Sequence, residues 1–348
     1  MTALQGRDIV VVAASAGGLE PLRTLLAALP ADFPASVLVV LHIPATGGRT
    51  LPRILDRAGL LPAAAAMDGE PLRPGRVYVA PPDLHLMVAD GRVRTSRGPR
   101  QNGVRPSADP LFRSAALYGG PRVIAVVLSG TLDDAALGAA TVEQRGGDVI
   151  VQDPDDAAYH SMPRCALATT QHSLVRPAAQ IAGLLSKLAG QQVEVPEDEP
   201  PADLQAEMQG LLDGDPQIAP VARDYSGFTC PDCGGPLYHA PKDAADSYDC
   251  LVGHRWSPES LLEEQAGSVE RAMWLAIRSL DERRRLTERL AASARRRGNP
   301  ISAARFHAAS EEATLAADVI RGATAKMTPV TEEPVDDQLA VGESEGAS

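Results

Sequence analysis

The chain has 348 residues and a formal net charge of −12, and 44% of its residues are hydrophobic while only 3% are aromatic. This length accommodates one large domain or two smaller ones, with a core built mainly from Val, Leu, Ile and Ala. The acidic charge argues against a general nucleic-acid-binding protein, which would carry a basic surface. We find no signal peptide and no apolar run of the roughly 18 residues that a membrane helix needs. We therefore expect a cytoplasmic protein without membrane insertion.

Short apolar runs rich in Val and Ile alternate with helical patterns in the first part of the chain. Runs of this kind are typical of strands in a parallel sheet that is buried on both faces. The predicted strands are residues 8–14, 36–42, 122–129 and 148–153. The predicted helices are a segment with Leu19, Leu22, Leu25, Leu26 and Leu29 on one face, then residues 49–58, 109–118 and 135–145. Residues 76–96 alternate around Asp90-Gly91, so we predict a doubly wound, mostly parallel α/β domain with an antiparallel hairpin insertion.

Reactive side chains follow three of these strands. Ser15 follows the first strand, His42 ends the second, and Asp133 and Asp134 follow the strand 122–129. Active sites of open α/β sheets gather at the carboxyl ends of the strands. A histidine there can take the proton of a serine hydroxyl, and a buried carboxylate can orient the histidine. The pattern is compatible with a Ser-His-Asp triad.

Each of these residues, taken alone, also has a structural interpretation. A serine or aspartate before a helix is usually an N-cap that contributes about 1 kcal/mol. A histidine at the end of a strand can be an ordinary structural residue. The turn "ASAGG" that contains Ser15 could bind phosphate, although it matches neither G-x-G-x-x-G nor the P-loop pattern.

Six motifs then occur in one order: "AASAGGLEPL", "LHIP", "YVAPPDLHL", "VRPSADPLF", "LSGTLDDAALG" and "SMPRCAL". Over about residues 8–188 this order and spacing resemble the catalytic domain of chemotaxis-type protein-glutamate methylesterases. The resemblance implies a serine-type ester hydrolase with Ser15 as nucleophile, His42 as base and Asp134 as the orienting carboxylate. It also implies backbone N–H groups of Ala16 and Thr131 as oxyanion donors.

The resemblance implies a substrate as well. Members of this family hydrolyse glutamate methyl esters on chemoreceptor helices and release methanol, and some deamidate glutamine. The expected partner is therefore a methylated chemoreceptor-type protein. The family's N-terminal phosphoacceptor domain has no counterpart before the first strand, so we expect activity that is constitutive or is regulated by a partner protein or by the C-terminal segment.

The chain departs from the family pattern in the loop "GTLDDA". Leu132 and Ala135 stand where the family has glycines, and Leu132 does not easily adopt positive φ. We therefore expect a local difference in this loop, which leaves Asp133 as a competitor for the carboxylate role and a non-catalytic signalling scaffold as an alternative. Arg105, in "VRPSAD", is a candidate substrate-binding residue, with a structural ion pair as the equal alternative.

A second cluster of chemically active residues lies beyond this region. Cys230 and Cys233 form a C-x2-C pair, and Cys250 and His254 follow after a spacer. Three cysteines and one histidine are a typical ligand set for a structural zinc ion, so we predict a small zinc-ribbon-like module. His239 is an alternative fourth ligand, and three reduced cysteines without a metal are the alternative to a site.

Composition divides the rest of the chain. Residues 191–224 are acidic and proline-rich and are predicted as a linker between a catalytic domain at 1–190 and the Cys/His module at 225–256. Apolar periodicity predicts a helical hairpin at 257–323 with a break at 295–300. The final segment, 324–348, lacks periodicity and is predicted as a disordered tail.

Overall fold

The computed structural model describes residues 3–42, 50–196, 199–214, 224–240 and 246–327. These residues divide into a first unit that ends at Leu261 and a second unit that begins at Leu262. The predicted tail lies almost wholly outside the described residues. No helix in the described ranges has both the length and the apolar character that crossing a bilayer requires.

Strands and helices alternate through the first unit, and two helices form most of the second. The strands are β1 (Ala3–Gly6), β2 (Ile9–Ala14), β3 (Ser36–Leu41), β4 (Ala63–Ala65), β5 (Val77–Val79), β6 (His85–Ala89), β7 (Arg92–Ser96), β8 (Val123–Val127), β9 (Asp148–Gln152), β10 (Leu174–Arg176), β11 (Gln192–Val195), β12 (Tyr225–Thr229), β13 (Pro236–His239), β14 (Tyr248–Cys250) and β15 (Arg255–Trp256). The helices are α1 (Leu19–Ala27), α2 (Leu51–Asp56), α3 (Ala108–Gly119), α4 (Ala136–Gln144), α5 (Ser161–Thr169), α6 (Ala178–Leu188), α7 (Ala202–Asp213), α8 (Pro258–Arg296) and α9 (Pro300–Thr324).

Seven parallel strands form the central sheet in the order β10-β9-β8-β2-β3-β5-β4. Every residue of β2, β3 and β8 is buried, because the strands are apolar on both faces. Ile9, Val11 and Ala13 contact one core, which α3, α4 and α5 cover. Val10 and Val12 contact the other core, which α1, α2 and α6 cover. The predicted doubly wound α/β architecture is confirmed.

The predicted hairpin insertion is confirmed as β6 and β7, which pair antiparallel across Asp90 and Gly91. The sequence also predicts a strand partner within residues 76–79, and this segment instead forms β5 and joins the parallel sheet. An antiparallel pair that the sequence does not predict joins β1 to β11.

The segment expected to be a solvated linker carries regular structure. Besides β11 it contains α7, whose Leu204, Met208 and Leu211 are buried against Met87 and Leu117 of the sheet domain. The side chain of Glu207 on the same helix pairs with the buried Arg113 of α3. The described part of this segment therefore differs from a solvated linker, because it contains a helix with an apolar face within a composition that is acidic and proline-rich overall. Residues 197–198 and 215–223 of the predicted linker lie outside the described residues.

The Cys/His segment forms a four-stranded antiparallel sheet, β12-β13-β14-β15. It belongs to the first unit together with the α/β sheet. In the second unit, α8 and α9 form an antiparallel hairpin in which Arg321 pairs with Asp281 at 2.8 Å. The Asn299 side chain caps α9 by accepting from the Ser302 N–H, which places the break between the helices where the sequence predicts it.

Candidate active site and metal site

Ser15 follows β2 directly, at the carboxyl edge of the central sheet. Its backbone N–H donates to the Ser129 carbonyl at 3.0 Å, and its carbonyl accepts from the Gly18 N–H at 3.0 Å. Gly18 occupies the N-cap position of α1, and no side chain caps this helix. The Ser15 hydroxyl is therefore not the cap of α1, in contrast to the structural interpretation of this residue.

Glycines occupy positions around the Ser15 turn at which a larger side chain would collide with neighbouring atoms. Gly17 has φ of +67°, a conformation that L side chains rarely adopt. A Cβ on Gly18 would lie 2.7 Å from the Ala14 Cβ, and a Cβ on Gly130 would lie 2.9 Å from the Ser15 Cβ. The close approach of the loop after β8 to Ser15 therefore requires glycine at these positions.

The His42 ring lies between Ser15 and Asp134. Its Nδ1 is 3.0 Å from Ser15 Oγ, and its Nε2 is 2.6 Å from Asp134 Oδ2. An ionised carboxylate only accepts hydrogen bonds, so the network assigns the proton to Nε2, which donates to Asp134. Nδ1 is then the nitrogen that accepts from the Ser15 hydroxyl. The three side chains, which come from the ends of β2, β3 and β8, form one hydrogen-bonded chain.

The Asp134 carboxylate is buried at the start of α3, with 4% of the side chain exposed. It accepts hydrogen bonds from the Ser107 hydroxyl at 2.7 Å and from the backbone N–H groups of Ala108 and Asp109 at 2.6 and 3.1 Å. Burial alone would raise the pKa of this carboxyl, but the His42 side chain and the donors at the start of α3 hold the pKa below its ordinary value. Asp134 is therefore held as an anion beside His42.

Sequence reasoning does not single out these donors, although the motif "VRPSAD" contains all three. It also misses His85, which is fully buried behind them. His85 Nε2 donates to the Pro99 carbonyl at 3.0 Å, and its Nδ1 accepts from the Ser107 N–H at 3.3 Å. Burial lowers the pKa of His85 to about 4, so a neutral ring supports Ser107.

The loop between β8 and α4 adopts the backbone conformation for which the family pattern has glycine. Leu132 has φ of +60° and Ala135 has φ of +80°. The local difference expected from Leu132 is therefore not found in the backbone, although both residues are in the strained left-handed region. Asp134, in the same loop, contacts the start of α3 through Ser107 and Ala108.

The two adjacent aspartates of this loop have different partners. Asp134 contacts His42, whereas Asp133 Oδ1 accepts from the Ser260 hydroxyl at 2.7 Å. Burial raises the pKa of Asp133 to about 6, against the hydrogen bonds from Ser257 and Ser260 that lower it. Of the two carboxylates that the sequence leaves open, only Asp134 hydrogen-bonds to His42.

Ala16, directly after Ser15, and Thr131, in the loop after β8, carry the two backbone N–H groups expected to stabilise an oxyanion. Among the described residues, no group accepts a hydrogen bond from the backbone N–H of Ala16 or of Thr131. The neighbouring Gly130 N–H donates to the Tyr159 carbonyl at 3.1 Å and is thus engaged within the fold. Ala16 and Thr131 therefore retain the backbone donors that the resemblance implies for an oxyanion.

Arg105 forms contacts inside the fold. Its Nη2 lies 2.7 Å from Asp83 Oδ1, and its Nη1 donates to the carbonyls of Arg97 and Gly98 at 3.1 and 2.7 Å. Hydrogen bonds from Arg97 and Arg105 lower the pKa of Asp83 to about 2. These contacts favour the structural ion pair over the substrate-binding role expected for Arg105.

The Cys/His module brings its four candidate ligands together. The ligand atoms of Cys230, Cys233, Cys250 and His254 all lie within 4.8 Å of one another. The Cys233–Cys250 sulfur separation is 3.7 Å, and His254 Nδ1 lies 3.7 and 3.5 Å from the sulfurs of Cys230 and Cys250. Tetrahedral bonds of about 2.3 Å to sulfur and 2.0 Å to nitrogen separate ligand atoms by roughly these distances. The set therefore fits one tetrahedral metal ion.

The alternative ligand His239 lies outside this cluster. Its ring contacts the Tyr248 ring, with centroids 5.3 Å apart, on the antiparallel sheet of the module. The remaining cysteine, Cys165, lies on α5 in the sheet domain. The cluster of four among the described residues is therefore the one inferred from the C-x2-C pair and the Cys250–His254 pair.

Comparison with known proteins places this architecture in a family. The family model described as CheB methylesterase matches residues 10–185. A protein-glutamate methylesterase/protein-glutamine glutaminase of Myxococcus xanthus is 43% identical over 169 residues, which cover 48% of this chain and 48% of the relative. One from Caulobacter vibrioides is 40% identical, covering 52% of this chain and 54% of the relative. The chain thus spans about half the length of these two relatives.

Two further matches cover nearly all of the other protein. A putative enzyme of the same name from Leptospira interrogans is 35% identical and is covered to 94% by this chain, of which 52% is matched. The crystal structure of the Thermotoga maritima CheB methylesterase catalytic domain is 34% identical with a TM-score of 0.50, and the match covers 52% of this chain and 98% of that chain. The Cys/His module and the helical hairpin lie beyond the residues that the family model matches. The chain belongs to the CheB methylesterase family.

Proposed function

We propose that the chain is a protein-glutamate methylesterase that hydrolyses glutamate methyl esters on a chemoreceptor-type protein. The observation that carries the proposal is the hydrogen-bonded chain from Ser15 through His42 to Asp134 at the carboxyl edge of the sheet. The names of the relatives support this reaction class. Such an activity would adjust the methylation of the receptor in chemotaxis-like signalling.

The geometry supports a two-step mechanism. Ser15 Oγ attacks the γ-carbonyl carbon of the ester while His42 Nδ1 takes the hydroxyl proton, and Asp134 stabilises the resulting imidazolium through Nε2. The N–H groups of Ala16 and Thr131 would stabilise the oxyanion. Collapse of this intermediate breaks the ester C–O bond, and the His42 proton leaves with methanol. A water molecule deprotonated by His42 then hydrolyses the acyl-serine and releases glutamate.

The nucleophile is tested by labelling the full chain with a fluorophosphonate probe. We expect labelling of the wild type, no labelling of Ser15→Ala, and a rate lower by on the order of 10⁴-fold in Asp134→Asn. Ser186→Ala, a partly exposed serine on α6, is the matched control and should label like the wild type. A folded wild type that does not label, or a Ser15→Ala variant that still does, would contradict the proposal and favour a non-catalytic scaffold.

The reaction is identified by the product. Incubation with a methylated chemoreceptor should release methanol, and this release should depend on Ser15. The relatives are also named protein-glutamine glutaminases, so glutamine deamidation by the same residues is the second candidate. Ammonia released from an amidated receptor, without methanol from a methylated one, would establish deamidation instead.

We also propose that the Cys/His module binds a structural zinc ion through Cys230, Cys233, Cys250 and His254. Three thiolates and one imidazole at tetrahedral separations fill the coordination sphere and leave no open position for catalysis. Elemental analysis should find about one zinc per chain, none in Cys230→Ser, and an unchanged amount in the control variant Cys165→Ser. Purified wild type without a bound metal would contradict the proposal.

A further inference from the structure

The Cys/His module and the residues that continue from it into the first turn of α8, 257–260, contact the loop that carries Asp134. These residues are counted with the module below. Ser260, in the first turn of α8, donates its hydroxyl to Asp133 Oδ1 at 2.7 Å. Both residues are buried, with 3% of Ser260 and 6% of Asp133 exposed. The two residues are 127 positions apart in the sequence, so this contact exists only because the module lies against the sheet domain. It joins the module to the residue next to Asp134.

The module also contacts the segment that precedes the donors to Asp134. The Arg255 carbonyl accepts from the Asn102 N–H at 2.8 Å, and the Asn102 side chain accepts from the Ser257 N–H at 2.9 Å. The Trp256 indole lies so close to Gly103 that a Cβ there would come within 2.9 Å of it. Residues 101–103 lead directly into the turn that presents Ser107 to Asp134.

A third connection reaches α3, whose first N–H groups bind Asp134. Arg255 Nη1 lies 2.9 Å from Glu207 Oε1, and the same carboxylate pairs with Arg113 of α3. Arg255 also pairs with Asp249 within the module at 2.6 Å. The module therefore contacts the Asp133–Asp134 loop, the segment before Ser107, and the helix that carries the remaining donors.

The residues that make these contacts are continuous with a metal ligand. His254 is followed by Arg255 and Trp256, and Gly253 before it accepts from the Gln101 side chain at 3.2 Å. A metal bound by His254 and Cys250 would fix the turn from which these residues project. In a module this small, bound metal supplies much of the folding free energy. Metal binding and the position of the contact residues are thereby linked.

We propose that the Cys/His module is a positioning element of the active site, which holds the Asp133–Asp134 loop against His42 through Ser260 and the 253–257 turn. The inference rests on the proposed function. The strained backbone at Leu132 and Ala135 needs surrounding contacts to persist, and the module supplies one of them. Loss of metal then weakens the hydrolase without altering any catalytic residue.

The first experiment removes the contact and leaves the metal ligands intact. Ser260→Ala in the full-length chain should raise amide hydrogen exchange at residues 130–136 by about tenfold and lower the rate of fluorophosphonate labelling by about tenfold, the value of one hydrogen bond to a carboxylate. Ser260→Thr keeps the hydroxyl and should restore both. Ser268→Ala, eight positions along α8, is the control. Unchanged exchange and labelling in a zinc-loaded Ser260→Ala protein would overturn the proposal.

The second experiment removes the metal and leaves every side chain intact. Chelation should raise hydrogen exchange at residues 101–103 and 130–136 and slow the labelling of Ser15, and added Zn²⁺ should reverse both. Increased exchange confined to residues 225–256, with full labelling, would overturn the proposal. A wild type that never labels would contradict Ser15 as nucleophile, while the exchange measurements would still decide whether the module positions the loop.

Discussion

Asp133 and Asp134 are neighbours in the chain, but the pKa values of their carboxyls are shifted in opposite directions. Asp134 accepts hydrogen bonds from His42 and from the start of α3, which favour its ionised form. Asp133 accepts a hydrogen bond from the Ser260 hydroxyl, and burial raises its pKa to about 6. The same residue type thus contacts His42 at one position and Ser260 at the next.

The raised pKa of Asp133 predicts a pH-dependent stability. Since its folded-state pKa of about 6 lies above the ordinary 3.8, this carboxyl contributes stability below about pH 4 that is lost as the pH rises through 6. The asparagine of Asp133→Asn cannot ionise. Between about pH 4 and pH 7.5, we therefore expect the free energy of unfolding of the wild type to fall by on the order of 3 kcal/mol more than that of the variant.

Denaturant unfolding of the wild type and of Asp133→Asn at the two pH values, with the same metal content in both proteins at each pH, measures this difference. Asp203→Asn changes an exposed carboxylate on α7 and serves as the control, with the same pH dependence as the wild type. Parallel pH profiles for Asp133→Asn and the wild type would contradict the prediction.

At the scale of elements, the loop between β8 and α4 stores backbone strain that a substitution can release. Leu132→Gly should raise the free energy of unfolding by about 0.5–1 kcal/mol, because glycine tolerates the φ of +60°. Leu132→Val should lower it by about 1–2 kcal/mol, since a β-branched residue is disfavoured there.

The control for this series is Leu262→Gly, in the helical backbone of α8. There the exposed leucine has ordinary dihedrals, so the glycine variant should be less stable by about 1 kcal/mol. Thermal or denaturant unfolding gives all three values. If Leu132→Gly and Leu262→Gly lower the free energy of unfolding by the same amount, the prediction of backbone strain at Leu132 is contradicted.

The elements that carry the candidate triad are those that the sequence predicts best. β2 and β3 are continuous apolar runs, and the side chain that follows each run must lie at the edge of the sheet. α7 is not predicted, because Leu204, Met208 and Leu211 are three apolar positions within an acidic, proline-rich segment. The average composition of a long segment does not predict a short amphipathic helix within it. The packing of α7 against α3 is seen only in the structure.

Contacts between segments that are distant in the chain were not predictable from this sequence. The pattern around Cys230 and His254 predicts a metal site, but nothing in it indicates that Ser260 would reach Asp133. The donors to Asp134 are missed for a related reason, because two of them are backbone N–H groups that any residue could supply. Their position depends on how α3 meets the loop after β8.

At the scale of the whole first unit, Glu207 links three segments of the chain. Its carboxylate pairs with Arg113 of α3 and with Arg255 of β15, and the Arg113 side chain is only 3% exposed. Glu207→Gln removes the negative charge between two buried guanidinium groups, so we expect the free energy of unfolding to fall by on the order of 3 kcal/mol.

Urea unfolding of the metal-loaded chain measures this effect. Glu194→Gln, on the exposed edge of β11, is the matched control and should change the free energy of unfolding by less than about 0.5 kcal/mol. Equal stabilities of the two variants would show that Glu207 does not link these segments energetically.

The contact between Trp256 and Gly103 gives the molecule an internal optical reporter. The chain contains two tryptophans, of which Trp256 is 2% exposed and Trp274 is 54% exposed. Trp274→Phe would leave one indole, enclosed where the Cys/His module meets the sheet domain. Its fluorescence emission would shift to longer wavelength when the module separates and water reaches the ring, so the association of the two parts can be followed in solution in real time.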